Sequence, residues 1–221
     1  MVILISQSYY VMNSIKAFVF TLVFFALAGC GGSSSSSGGG QATTEASSTT
    51  LSLERTIVVI GDSIGTGYGA STAFPDILQS LTGIRVVNIS KGGSSAEFGA
   101  SRAPALISQY RPMYLVMLLG TNNAGGAAGG VSGAVSSLQY AANVAENAGV
   151  IPIIGTLPPI TRSSKENSNV AAISSGIRGI SGARIAPIYG STNGSHIGGD
   201  GKHPNNSGQD IIARLFAQQI Y

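Results

Sequence analysis

The sequence holds two histidines, His196 and His203, and the second stands in Asp200-Gly201-Lys202-His203-Pro204. A carboxylate three residues before an imidazole, on a turn, can reach Nδ1. That holds the tautomer which leaves Nε2 free to take a proton from a nucleophile. His196 is the rival base, since Asp200 is also four residues from it; its plain reading is a loop histidine between Ser195 and Ile197. The candidate nucleophile is Ser63, in the stretch GDSIGTGYGA at 61–70, directly after the apolar run Thr56–Ile60. A serine becomes a nucleophile only with a base in hydrogen-bond reach and an acid to orient that base.

The same stretch fits two other patterns. Gly65, Gly67 and Ala70 match a G-x-G-x-x-A loop for a dinucleotide pyrophosphate. That loop needs its first glycine at the strand end and an acid about 20 residues on, for the ribose. Four residues separate Gly65 from the run, and the second apolar run ends Asn88-Ile89-Ser90-Lys91 without an acid. Lys91 would suit only a 2′-phosphate. A G-x-x-x-x-G-K-[ST] phosphate loop is absent. Gly61, Ser63 and Gly65 also match the G-x-S-x-G elbow of α/β-hydrolases. In that fold several strands precede the serine, and the aspartate lies well upstream of the histidine. Here Ser63 follows the first strand signal of the domain.

Five short apolar runs must carry these residues: Thr56–Ile60, Arg85–Ile89, Tyr114–Leu119, Val150–Ile154 and Arg184–Ile188. Several are apolar without alternation, as in strands of a parallel sheet covered on both faces. Pro152 and Pro187 count against the fourth and fifth. Helical patterns fall between the runs: Phe74–Leu81, Pro104–Tyr110, Val135 to Ala145, Asn167–Ile180 (interrupted by Gly176 and Gly179) and Ile211 to Ile220. Ser207 and Asp210 suggest a capping pair for the last. Strand–helix alternation predicts an α/β three-layer sandwich on a parallel sheet. Sites in such sheets form at the carboxyl ends of the strands. Three polar, glycine-rich stretches follow strand signals and should share that edge: the one around Ser63, Ser90–Ser95, and Gly120-Thr121-Asn122-Asn123.

Four motifs in order resemble those of the SGNH, or GDSL, hydrolase family. Gly61-Asp62-Ser63-Ile64 is similar to its first block, with isoleucine for leucine. Asn88-Ile89-Ser90-Lys91-Gly92-Gly93 resembles the second, Gly120-Thr121-Asn122-Asn123 the third, and Asp200 to His203 the fifth. The resemblance covers nearly the whole domain. It implies a small flavodoxin-like fold with five parallel strands, and acyl transfer to water. Ser63 would attack, His203 would act as base and Asp200 would orient it. The oxyanion donors would be the N–H groups of Ser63 and Gly93 and the Asn122 amide, with Gly92 as the alternative to Gly93. Asp62 would be a brace and not the triad acid. Asn123 departs from the family's usual aspartate, which should bear on loop anchoring more than on chemistry. Ala124–Gly133, with five glycines, reads as a loop or as a wall of the substrate pocket. Pro158-Pro159 resembles the proline-bearing loop of the small esterase and thioesterase branch. The implied substrates are small acyl esters, lysophospholipids or thioesters. Carbohydrate O-acetyl esters are an alternative, and so is a non-catalytic surface protein that binds glycan or lipid. No cofactor is implied, and two histidines without an available thiol give little from which to build a metal site.

Residues 1–29 read as a leader. Lys16 precedes the twelve mostly apolar residues Ala17–Ala28, too few to span a bilayer, and Met12 is an alternative start. Leu27-Ala28-Gly29-Cys30 resembles a bacterial lipobox, whose cysteine becomes a lipidated N-terminus. Cys30 is the only cysteine, so the mature domain is expected to hold no disulfide and no free thiol. Residues 30–52 follow as an anchor and a Gly/Ser-rich tether, able to reach about 25 Å on average. Residues 53–221 form one domain. The expected location is the bacterial cell envelope, lipid-anchored, at the outer membrane since Gly31 replaces the inner-membrane-retaining aspartate. Removing the leader takes Lys16 from twelve basic side chains and leaves eleven against nine acidic. That balance, with no basic stripe among aromatics, argues against a nucleic-acid partner. It says nothing about oligomeric state.

Overall fold

The computed structural model describes residues 54–220. The leader, Cys30 and the tether lie outside the described residues. Apolar runs without alternation become strands covered on both faces. These are β1 (Glu54–Gly61), β2 (Arg85–Asn88), β3 (Pro112–Leu118), β4 (Ile151–Gly155) and β5 (Arg184–Ala186). All pair in parallel, in the order β2-β1-β3-β4-β5. Central β1 aligns Val58 with Val87 on one side and Leu115 on the other. Its Ile57 to Ile60 are fully buried, as are Leu115 to Leu118 of β3.

The helices are α1 (Phe74–Thr82), α2 (Ala96–Ala100), α3 (Ala103–Tyr110), α4 (Thr121–Ala124), α5 (Gly130–Asn147), α6 (Ser164–Arg178), the kinked α7 (Ile188–Ser191) and α8 (Asn206–Ala217). One layer joins α1 to α8, where the rings of Phe74 and Phe216 stack at 5.3 Å. The other gathers α2, α3 and α6 around α5. The expected α/β sandwich with five parallel strands is therefore present. Among the described residues, no helix is long and apolar enough to cross a membrane.

Both prolines find harmless places. Pro152 pairs with Leu115 of β3, but β5 begins its pairing only at Ile153, so no β5 partner faces Pro152. Pro187 falls just after β5. Gly176 does not interrupt α6; it lets α5 come close, because a Cβ there would stand 2.5 Å from Val135 Cγ2. The capping pair expected at α8 is a correction. Asn205 is the cap, its Oδ1 accepting from Gly208 N at 3.1 Å, while Asp210 pairs with Arg214 one turn on. Helices α2 and α4, of five and four residues, were not expected; Ser95 caps α2 by accepting from Phe98 N.

Candidate active site

The order of the strands reverses direction at β1, between β2 and β3. Ligands of open α/β sheets bind beyond the carboxyl ends of the strands at such a point. Ser63 lies two residues past the end of β1. Its loop is tied to the loop after β2: Lys91 N donates to Gly61 O at 3.1 Å, and Asn88 Nδ2 donates to Gly65 O at 2.9 Å. Ser90 sits between the two. A Cβ would stand 2.7 Å from Ser90 Oγ at Gly61 and 2.2 Å from it at Gly65. These glycines make room for the Ser90 side chain. From the other side, buried Gln209 of α8 accepts from Phe74 N at 2.9 Å and donates to Ile64 O at 3.1 Å. The serine loop is thus clamped between β2 and α8.

Asp62 is fully buried, and its Oδ1 accepts from Ile64 N at 2.9 Å. It does not bond the histidine, in keeping with a brace. Among the described residues its Oδ2 has no partner. Burial pushes this carboxyl up to about 6, against the Ile64 N–H and the charges of Lys202 and His203. Unfolded, it returns to an ordinary value near 3.8. Well below pH 3.8 both states are protonated and the group is neutral to stability. Above pH 6 both are ionised, and the folded state bears a buried charge. Its burden therefore grows as pH rises from 4 to 6, by on the order of 3 kcal/mol. Asp62→Asn removes that burden. Urea unfolding should show the asparagine variant gaining on wild type by about that amount between pH 4 and pH 7.5. A difference that does not change with pH would refute it.

His203 comes to Ser63 from the far end of the chain. Its Nε2 lies 2.8 Å from Ser63 Oγ, across 140 residues of sequence. Its Nδ1 bonds Asp200 Oδ2, and Asp200 Oδ1 also accepts from the N–H groups of Lys202 at 2.9 Å and His203 at 3.0 Å. Desolvation raises the Asp200 carboxyl, but the His203 ring, these two N–H groups and the charge of His203 outweigh it and hold it at about 2. An ionised Asp200 accepts a hydrogen bond from Nδ1–H, which keeps the proton on Nδ1, so Nε2 presents its lone pair to the serine. Tyr68 flanks the base, its ring centroid 4.5 Å from that of His203. His196 lies elsewhere: its Nδ1 accepts from Asn193 N at 3.0 Å within a 3₁₀ turn.

The proposed oxyanion donors lie on the loop after β1, the loop after β2 and the start of α4. Among the described residues the N–H groups of Ser63, Gly92 and Gly93 have no partner. Gly93 has φ +80°, and a Cβ on Gly92 would stand 4.0 Å from Ser63 Cβ. Both glycines stay eligible. Asn122 donates one Nδ2 hydrogen to Ser94 O at 2.9 Å, while its Oδ1 accepts from Lys202 Nζ at 2.8 Å. The other Nδ2 hydrogen is unengaged. Asn123, buried beside it, anchors the loop. It accepts from Ala96 N at 2.9 Å and donates to Glu97 Oε2 at 2.9 Å and Ala128 O at 2.8 Å. Glu97 explains the departure from aspartate, because an acid at 123 would face another carboxylate. Burial raises Glu97, yet the Asn123 amide, its own N–H and Ser95 hold it below the usual range.

A cavity of about 450 Å³ opens along the loop after β2, whose Gly92 lies next to Ser63. Its wall combines Lys91, Gly92, Gly93, Ser94 and Phe98 with Ala127 and Ala128. The glycine-rich 124–133 segment thus contributes to the cavity wall. Tyr68, Gln209, Glu97 and the Lys202–Asn122 contact carried no signal in the sequence, since each depends on partners distant in the chain. Among the described residues no group of three His, Cys, Asp or Glu side chains could hold a metal.

No family model matches the chain. It is 27% identical over 175 residues to thioesterase 1/protease 1/lysophospholipase L1 of Escherichia coli K12, covering 75% of this chain and 83% of that protein. Esterase TesA of Pseudomonas aeruginosa is 32% identical over 120 residues, 50% of this chain and 59% of that one. Among solved structures, TesA superposes with TM-score 0.64 at 22% identity, over 75% of this chain and 97% of that one. A GDSL-like lipase from Bacteroides thetaiotaomicron gives 0.64 at 17%, over 75% and 87%. The fold is that of the GDSL-type hydrolases. The relatives support a place among them, and the chain is a carboxylic ester hydrolase.

Proposed function

We propose that the chain is a serine esterase that works through an acyl-enzyme, with Ser63, His203 and Asp200 as its triad. The observation that carries this reading is the run of contacts from Ser63 Oγ through the His203 ring to an ionised Asp200. His203 Nε2 takes the hydroxyl proton as Oγ bonds the substrate carbonyl carbon. Asp200 stabilises the imidazolium without accepting its proton. The carbonyl oxygen, now anionic, meets the N–H groups of Ser63 and of Gly93 or Gly92, and the free Nδ2 hydrogen of Asn122. The intermediate collapses, the bond to the alcohol or thiol breaks, and His203 returns the proton to that leaving group. Water then repeats the sequence on the acyl-enzyme, releasing a carboxylic acid and restoring the Ser63 hydroxyl.

The cavity suits a small to medium acyl or alcohol group, within the range typical of small-ligand sites. Short- to medium-chain acyl esters, lysophospholipids or thioesters are the substrates proposed. Hydrolysis of p-nitrophenyl esters from acetate to decanoate should peak within that series. Turnover at background along the whole series, together with inactivity on acyl thioesters and lysophospholipids, would refute the assignment.

A further inference from the structure

We propose that Lys202 is a positioning residue for the oxyanion site, acting through the Asn122 side chain. The proposal rests on the esterase reading above. Lys202 lies between the triad acid and base in sequence, yet its side chain leaves them. Its Nζ donates to Asn122 Oδ1 at 2.8 Å, joining loops 80 residues apart. Ser94 O holds the opposite end of the same amide at 2.9 Å. The two contacts agree on one orientation: oxygen towards the ammonium, NH₂ towards Ser94. A side-chain amide held at both ends cannot flip or swing when a substrate enters. The ammonium adds an electrostatic effect. A charge-assisted hydrogen bond at the amide oxygen withdraws electron density along the group, so the free Nδ2 hydrogen becomes a stronger donor. That donor matters most when the substrate oxygen turns anionic, so the contribution belongs to the transition state and to kcat.

Two other roles for Lys202 are separable. Its backbone N–H bonds Asp200 Oδ1, but a side-chain substitution leaves that contact in place. The buried Asp62 carboxyl also feels its charge, which would affect stability and not the oxyanion.

The test compares wild type, Lys202→Met, Asn122→Ala and the double variant on a short p-nitrophenyl ester. Thermal unfolding and backbone ¹H–¹⁵N spectra serve to confirm the fold. Asn122→Ala should lower kcat by about 10²–10³. Lys202→Met should lower kcat by about tenfold with KM changed less than about twofold, since one anchor and the charge are lost while Ser94 still holds the amide. In the Asn122→Ala background the same substitution should change kcat less than about twofold. Equal losses in both backgrounds, or no loss in either, would overturn the proposal. A second measurement does not depend on turnover. The Asn122 NH₂ resonances, assigned by their absence in Asn122→Ala, should move in Lys202→Met; unmoved resonances would overturn the contact. A wild type without Ser63-dependent turnover but with moved resonances would fault the esterase reading and leave the Lys202–Asn122 contact supported.

Discussion

Ser63→Ala is expected to lower kcat on a short acyl ester by about 10⁴–10⁶, with KM little altered. The alanine keeps the backbone, so the N–H at 63 still serves as a donor and the cavity keeps its shape. What disappears is the oxygen that would bond the carbonyl carbon. His203, 2.8 Å from that oxygen, would have no nucleophile to deprotonate except water. The oxyanion donors alone leave a residual acceleration of about 10³–10⁴ over water. The variant should therefore be measurably active in long assays, by single-step attack of water. Activity within tenfold of wild type would place the nucleophile elsewhere.

The second large effect is Asp200→Asn, with a loss of about 10³–10⁴ in kcat. The amide oxygen can still accept from the N–H groups of Lys202 and His203, so the turn should survive. The NH₂ group, however, would donate to His203 Nδ1. That forces the other tautomer, with the proton on Nε2 facing Ser63, and the base can no longer accept. Asp200→Ala should cost less, because the Asp200 side chain is 41% exposed and water can take the place of the carboxylate. Steady-state kinetics on both variants checks this ordering. An asparagine variant more active than the alanine variant would contradict it. Since Asp200 is held at about 2, its ionisation should not limit activity near neutral pH.

Much of this site was legible because its chemistry depends on rare residues. Two histidines left few choices of base, and the Asp–x–x–His spacing is a local feature that a turn converts directly into a contact. The strands were legible because burial on both faces leaves an unbroken apolar run. The short helices α2 and α4 were not, since four or five residues cannot show a helical period. The α8 cap was misjudged by two residues. Ser207 is the second residue of the helix and donates its own hydroxyl to Asn205, the residue that bonds the orphan N–H. The remaining gaps share one cause. Gln209 reaches Ile64 across 145 residues, and Lys202 reaches Asn122 across 80. Nothing local in the sequence marks such pairs before the sheet brings its strand ends together. Asn123 is the intermediate case: its anchoring role was readable, but its Glu97 partner was not.

The central claim is that Ser63 carries the acyl group. Incubating the wild-type protein with a fluorophosphonate and mapping the adduct by peptide mass spectrometry tests it most directly. One stoichiometric adduct on Ser63 is expected, formed together with loss of esterase activity and abolished in Ser63→Ala. A labelled protein that keeps its activity, or an adduct on a different residue that tracks the inactivation, would contradict it.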